Sequence, residues 1–213
     1  MTFDFLIEQN NRTLASLKAQ DFVGAVESAL FALKYLREAE VNNTSAEDSA
    51  GSCYKTGDKD WLDQSMLLSE IKEGTHHTAA RVFVYEHGIF LHPSMSDSSI
   101  VAPILIFNTA LAHHLAFQAG RASIKALHKA KKLYELAYRT QDIDNNILFQ
   151  FVVINNIAMI DRQLGYFATA NDCLDYLMSV LMVMVDRGCT MRLRHVQGFL
   201  KNIPSTLETA AAA

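Results

Sequence analysis

Asn156-Ile157-Ala158, then Gln163-Leu164-Gly165-Tyr166-Phe167, then Ala170 with Leu177, is the stretch whose reading decides the fold. Ala170 and Leu177 stand seven residues apart, which is two turns of an α-helix, so both face the same neighbour. Gly165 interrupts two long apolar stretches, residues 146–164 and 168–187, and Gly188 stops the second. Small side chains at Ala158 and Ala170 allow two helices to approach closely. The stretch therefore reads as a helical hairpin.

The same spacing recurs at Ala25 with Ala32 and at Ala130 with Ala137. Residues 3–40 divide at Ala19-Gln20-Asp21. Asp21 is placed to cap a helix whose apolar face runs Phe22, Ala25, Val26, Ala29, Ala32, Leu33 and Leu36. Residues 101–119 and 123–140 form a further hairpin joined near Gly120. Its two alanines, Ala110 and Ala130, are 20 residues apart, against 12 between Ala158 and Ala170. The difference of eight is close to one extra turn in each helix, which keeps both apolar faces aligned.

With only three prolines in the chain, long helices are permitted almost everywhere. Residues 41–60 are polar and read as a mobile linker, followed by a short helix at 61–71. Residues 81–92 differ: Val82, Phe83, Val84 and Tyr85, then Gly88, then Ile89, Phe90 and Leu91 suggest a β-hairpin of two short strands. A lone ribbon is marginal in water, so it must lie on the helices. The stripe Leu177, Met178, Leu181, Met182 and Met184 surrounds its helix and needs cover from the tail or from another chain; Leu193, Val196 and Phe199 favour the tail.

Together these phrases resemble the tetratricopeptide repeat, a helix pair with small residues at fixed places. Lys18 to Val26 running on to Ala32-Leu33 looks like a turn and second helix. Phe107-Asn108-Thr109-Ala110 looks like a first helix, and Asn156 through Ala170 looks like a whole repeat. The first helix of the first hairpin, with Gln9, Asn10 and Arg12 at its middle, departs from the pattern, as does the 105-residue gap from Ala25 to Ala130. The wording is also similar to uncharacterised repeat proteins of unicellular algae.

The expectation is an all-α, tetratricopeptide-like helical-hairpin solenoid with a small β-hairpin insertion. It forms one structural domain: residues 1–40 a first hairpin, 41–100 linker and insertion, 101–188 two further hairpins, 189–213 a capping helix and tail. The resemblance implies a non-catalytic scaffold that binds protein or peptide on a concave face lined by first helices. Matching positions are Phe107, Leu111, His114, Asn155, Met159 and Arg162. Asn155 and Arg162, seven apart, share a face and suit the backbone or carboxylate of an extended peptide. Equally, Asn155 suits an inter-helix contact and Arg162 a solvated one.

A net charge of −4 provides no strong field for nucleic acid or an acidic membrane. Lys125, Lys129, Lys131 and Lys132 lack interleaved aromatics and read as a solvated face. Cys53, Cys173 and Cys189 are odd in number and widely spaced, which points to a reducing compartment, intracellular and cytoplasmic. Neither a leader nor a membrane span is expected, nor any cofactor or metal, and the chain is expected to be a monomer or weak homo-oligomer. The alternative is a metal- or small-molecule-dependent enzyme using a cleft near His114 and His128. Adjacent histidines on a helix diverge by about 100°, so only one of His113-His114 can join His128.

Overall fold

The computed structural model describes residues 3–44, 84–92, 98–140, 147–186, 198–199 and 202. Among the described residues the main helices are α1 Phe3–Lys18, α2 Phe22–Thr44, α3 Ser98–Gln118, α4 Ile124–Thr140, α5 Ile147–Gln163 and α6 Phe167–Asp186. Contacts divide the chain into two compact units, Met1–Leu68 with Gly88–Asn146 and Ser69–His87 with Ile147–Ala213. In the first unit α1 packs on α2, α2 on α3 and α3 on α4; in the second α5 packs on α6. The all-α class is the observed one.

Three turns between paired helices share one geometry. Gln20, Gly120 and Gly165 have φ of 59°, 68° and 81°. Each donates its N–H to the carbonyl three residues back, and the following residue donates to the carbonyl five back: Asp21 to Ser16, Arg121 to Ala116, Tyr166 to Asp161. This double bond satisfies helix-terminal carbonyls and reverses the chain. Asp21 then caps α2, its Oδ1 accepting the Gly24 N–H at 3.0 Å.

Past each turn the second helix buries a regular stripe: Ala25, Ala29 and Ala32; Ala130, Tyr134 and Ala137; Ala170, Leu174 and Leu177. Ala110 and Ala158 on the first helices are likewise without accessible surface. The eight additional residues of the middle hairpin divide three ways. Ala110 lies three residues further from its turn glycine than Ala158 does, Ala130 three further from its helix start than Ala170, and the turn itself is two longer. Three residues are close to one turn, so each helix gains a turn and the loop absorbs the remainder.

Helix α3 is buried nearly all round, including Val101, Ile104 to Ala112, His114 and Ala116. Residues 100–118 are long and apolar enough to cross a membrane, but 72% of that window is buried within the protein. A core helix passes the same length and composition test. Helix α2 continues to Thr44, beyond the expected boundary at residue 40. The rest of the expected linker and the short helix at 61–71 lie outside the described residues, as do Leu193 and Val196 of the tail. Phe199 is buried, its ring 5.8 Å from Phe151 of α5. Of the α6 stripe, Leu177 is buried and Met182 exposed.

Of the expected β-hairpin over 81–92, residues 81–83 lie outside the described residues. Among the described residues there is no strand, and this stretch carries no ladder. At Tyr85 and Ile89 the backbone N–H and C=O are taken by side chains.

Candidate functional site

A carboxamide is donor and acceptor at once, so one asparagine can satisfy both the N–H and the C=O of a single residue, as a neighbouring strand does. Two asparagines do this along residues 84–92. In the first unit, Asn108 Oδ1 accepts the Ile89 N–H at 2.8 Å, and Asn108 Nδ2 donates to the Ile89 carbonyl at 2.9 Å. In the second unit, Asn156 Oδ1 accepts the Tyr85 N–H at 2.9 Å, and its Nδ2 donates to the Tyr85 carbonyl at 3.0 Å. The N–H and C=O of one residue point to one side only where the backbone is extended. At the first clamp side-chain burial agrees with that geometry: Ile89 and Leu91 are buried, Phe90 and His92 exposed.

Both asparagines occupy the same place, two residues before the buried alanine of a first helix: Asn108-Thr109-Ala110 and Asn156-Ile157-Ala158. Each is supported by another asparagine. Asn10 of α1 donates to the Ile89 carbonyl at 3.0 Å and accepts from Asn108 Nδ2 at 2.8 Å. Asn155 donates to Asn156 Oδ1 at 3.3 Å and accepts from Asn202 at 2.6 Å. All five carboxamides are fully buried. Bonds of this kind between neutral groups are each worth about 1 kcal/mol net, and leaving a buried partner unmade costs about 1–3 kcal/mol.

Gly88 belongs to the first clamp by its size. A Cβ there would collide with Leu14 Cδ2 and stand 3.2 Å from both Asn108 Oδ1 and Leu17 Cδ1. A side chain here would have to push the end of Leu14 aside, so the close approach favours glycine. Near the second clamp, the His87 ring lies 5.7 Å from Tyr85, edge to face, and burial pushes its pKa below the ordinary histidine value.

Of the residues singled out from sequence, Phe107, Leu111, His114, Asn155 and Met159 have no accessible surface. Phe107 and His114 pack on Tyr134, with ring centroids at 5.4 and 6.1 Å. Asn155 donates to Asn156 of its own helix and accepts from Asn202. Arg162 is half-buried, and its guanidinium pKa is lowered by that burial. The residues that grip backbone are one position along from those chosen, Asn108 for Phe107 and Asn156 for Asn155, a rotation of about 100° about the helix axis. The repeated Asn-x-Ala phrase was the available signal.

His114 is buried and His128 exposed. Among the described residues no group of three His, Cys, Asp or Glu side chains is placed to hold a metal ion. His113 is half-buried; burial, and then the Lys129 charge, lower its pKa. Compared with known proteins, the chain matches no family model, no curated protein and no solved structure.

Proposed function

We propose that the chain is a tetratricopeptide-like helical-hairpin solenoid serving as a non-catalytic scaffold, which binds protein partners as extended segments read through their backbone. The observation that carries this reading is the bidentate grip of Asn108 on Ile89 and Asn156 on Tyr85, at one repeat position in two first helices. A carboxamide that holds N–H and C=O recognises any residue in extended form, so affinity comes from the backbone and selectivity from side-chain pockets beside it. The three matching turns and alanine stripes support the repeat architecture. The partner class is polypeptide: the exposed Lys125, His128, Lys129 and Lys132 carry no interleaved aromatic residue for bases to stack on.

Selection of a displayed random-peptide library on the purified chain tests the reading. The expected result is a set of peptides whose binding is lost when backbone amides at alternate positions are N-methylated. A library that yields no binder, or binders indifferent to N-methylation, overturns it.

A further inference from the structure

The asparagine pair of the first unit already holds an extended segment, and that segment is the chain's own. We propose that Gly88 to Leu91 is an internal ligand: the site formed by Asn10, Asn108, Leu14 and Leu17 takes a Gly-aliphatic-x-aliphatic segment, and one supplied by another polypeptide displaces it. The proposal rests on the scaffold reading and names the ligand class of its site.

Three observations define that class. Both backbone groups of Ile89 are held by carboxamides, a mode of recognition that any polypeptide can satisfy equally. A Cβ at Gly88 would displace the end of Leu14 and crowd Leu17 and Asn108, so the position before the clamped residue favours glycine. Ile89 and Leu91 are buried while Phe90 and His92 are exposed, so aliphatic groups are selected at the clamped residue and two further on, and the intervening position is free. Residues 88–92 form no regular structure of their own, so their release breaks no helix. Tethering gives the internal segment an effective concentration in the millimolar range, so it competes strongly with an incoming one.

The experiment uses the full chain and a fluorescein-labelled synthetic peptide with the sequence of residues 84–92, read by anisotropy. Ile89→Pro removes the N–H that Asn108 accepts while leaving the site residues intact. The folded variant is expected to bind the probe at least tenfold more tightly than the unaltered chain does, and N-methylation of the probe at its isoleucine should abolish binding to both. A folded variant that does not bind the probe overturns the proposal.

Hydrogen exchange on the unaltered chain gives a second reading that depends on no variant. The Ile89 amide should exchange at least a hundredfold faster than those of Ala110 and Ala130 in the same unit. Equal protection means that the segment leaves only when the unit unfolds, which also overturns the proposal. If library peptides bind the chain and the probe does not bind the folded variant, displacement fails and the scaffold reading stands; if neither binds, both fail.

Discussion

The two asparagine clamps solve one problem with different supports. At Ile89 the gripping Asn108 and the supporting Asn10 come from different helices, α3 and α1, and converge on the same carbonyl. At Tyr85 the support, Asn155, is the next residue on the same helix; it donates to Asn156 and is itself held by Asn202. The first clamp is supported directly and the second through a relay. What the two share is the bidentate carboxamide two residues before a buried alanine, and that is the part the architecture requires. The support is free to vary with whatever lies beside it.

The largest expected effect comes from changing the gripping carboxamide to a carboxylate. Asn108→Asp and Asn156→Asp each keep the size but lose both amide donors and bury a charge against a backbone carbonyl, at a cost of about 4 kcal/mol. Burial raises the pKa of the new acid in the folded state. The folded protein then binds more protons than the unfolded one, so the deficit against the unaltered chain is smallest at low pH and grows as pH rises through the raised value. Urea denaturation of variant and unaltered chain at several pH values measures it. If both variants match the stability of the unaltered chain, the clamps hold nothing.

Next come the supports. Asn10→Ala removes a donor from the Ile89 carbonyl and an acceptor from Asn108, and is expected to cost about 2 kcal/mol. Asn155→Ala likewise removes two bonds, its own to Asn156 at 3.3 Å and the one it accepts from Asn202 at 2.6 Å, and is expected to cost about 2 kcal/mol. The difference lies in the segment: Asn10→Ala should speed exchange of the Ile89 amide more than Asn155→Ala speeds that of Tyr85, which Asn156 still holds, and equal changes would mean that direct and relayed support do not differ. Gly88→Ala belongs to the first clamp alone. Leu14 is half-buried and can yield, so the cost should be about 1–2 kcal/mol, with faster exchange of the Ile89 amide.

The helical pairs were legible in the chain because their signals are local. A seven-residue alanine spacing and a glycine between two apolar runs each specify a turn or a face without any distant residue. The clamps were not legible in that way. Asn10 and Asn108 are 98 residues apart, and Tyr85 and Asn156 are 71 apart, so no periodicity links them. The β-branched and aromatic residues near Tyr85 and Ile89 did report an extended backbone, and the burial alternation supports that much. What they could not report was the partner: strand propensity measures fit to a half-buried extended surface, and a helix bearing asparagines provides one as well as a second strand does. Asn155 and Asn156 are adjacent on a helix buried almost all round, where hydrophobic pattern fixes no facing direction.

The turns offer a smaller contrast. Gly120 and Gly165 adopt left-handed backbone at little cost, whereas Gln20 adopts it with a side chain. Gly165→Ala should lose about 1 kcal/mol through backbone strain alone, since a Cβ there meets nothing within 4 Å. Gln20→Gly should gain about 0.5 kcal/mol, less whatever the Arg121 bond to the Gln20 side chain contributes at 3.4 Å. Thermal midpoints of the two variants test both signs, and a loss at Gln20→Gly would show that the side chain matters more than the strain.

The smallest effect distinguishes two histidines, one in each unit. Burial lowers the pKa of His87, and burial with the Lys129 charge lowers that of His113. Each folded-state value lies below the unfolded one, so each contribution is fully present above the ordinary histidine pKa of about 6.5 and is lost as pH falls through the lowered value. Both groups are only partly buried, so the change in urea midpoint between pH 7.5 and 5.5 should be modest for each. Salt separates them. A Debye length of about 8 Å at physiological ionic strength shrinks to about 3 Å at 1 M, which screens Lys129 but does not resolvate a ring. His113→Gln should therefore reduce the acid sensitivity of stability more at low salt than at high, while His87→Gln reduces it equally at both; equal salt dependence would remove Lys129 from the account of His113.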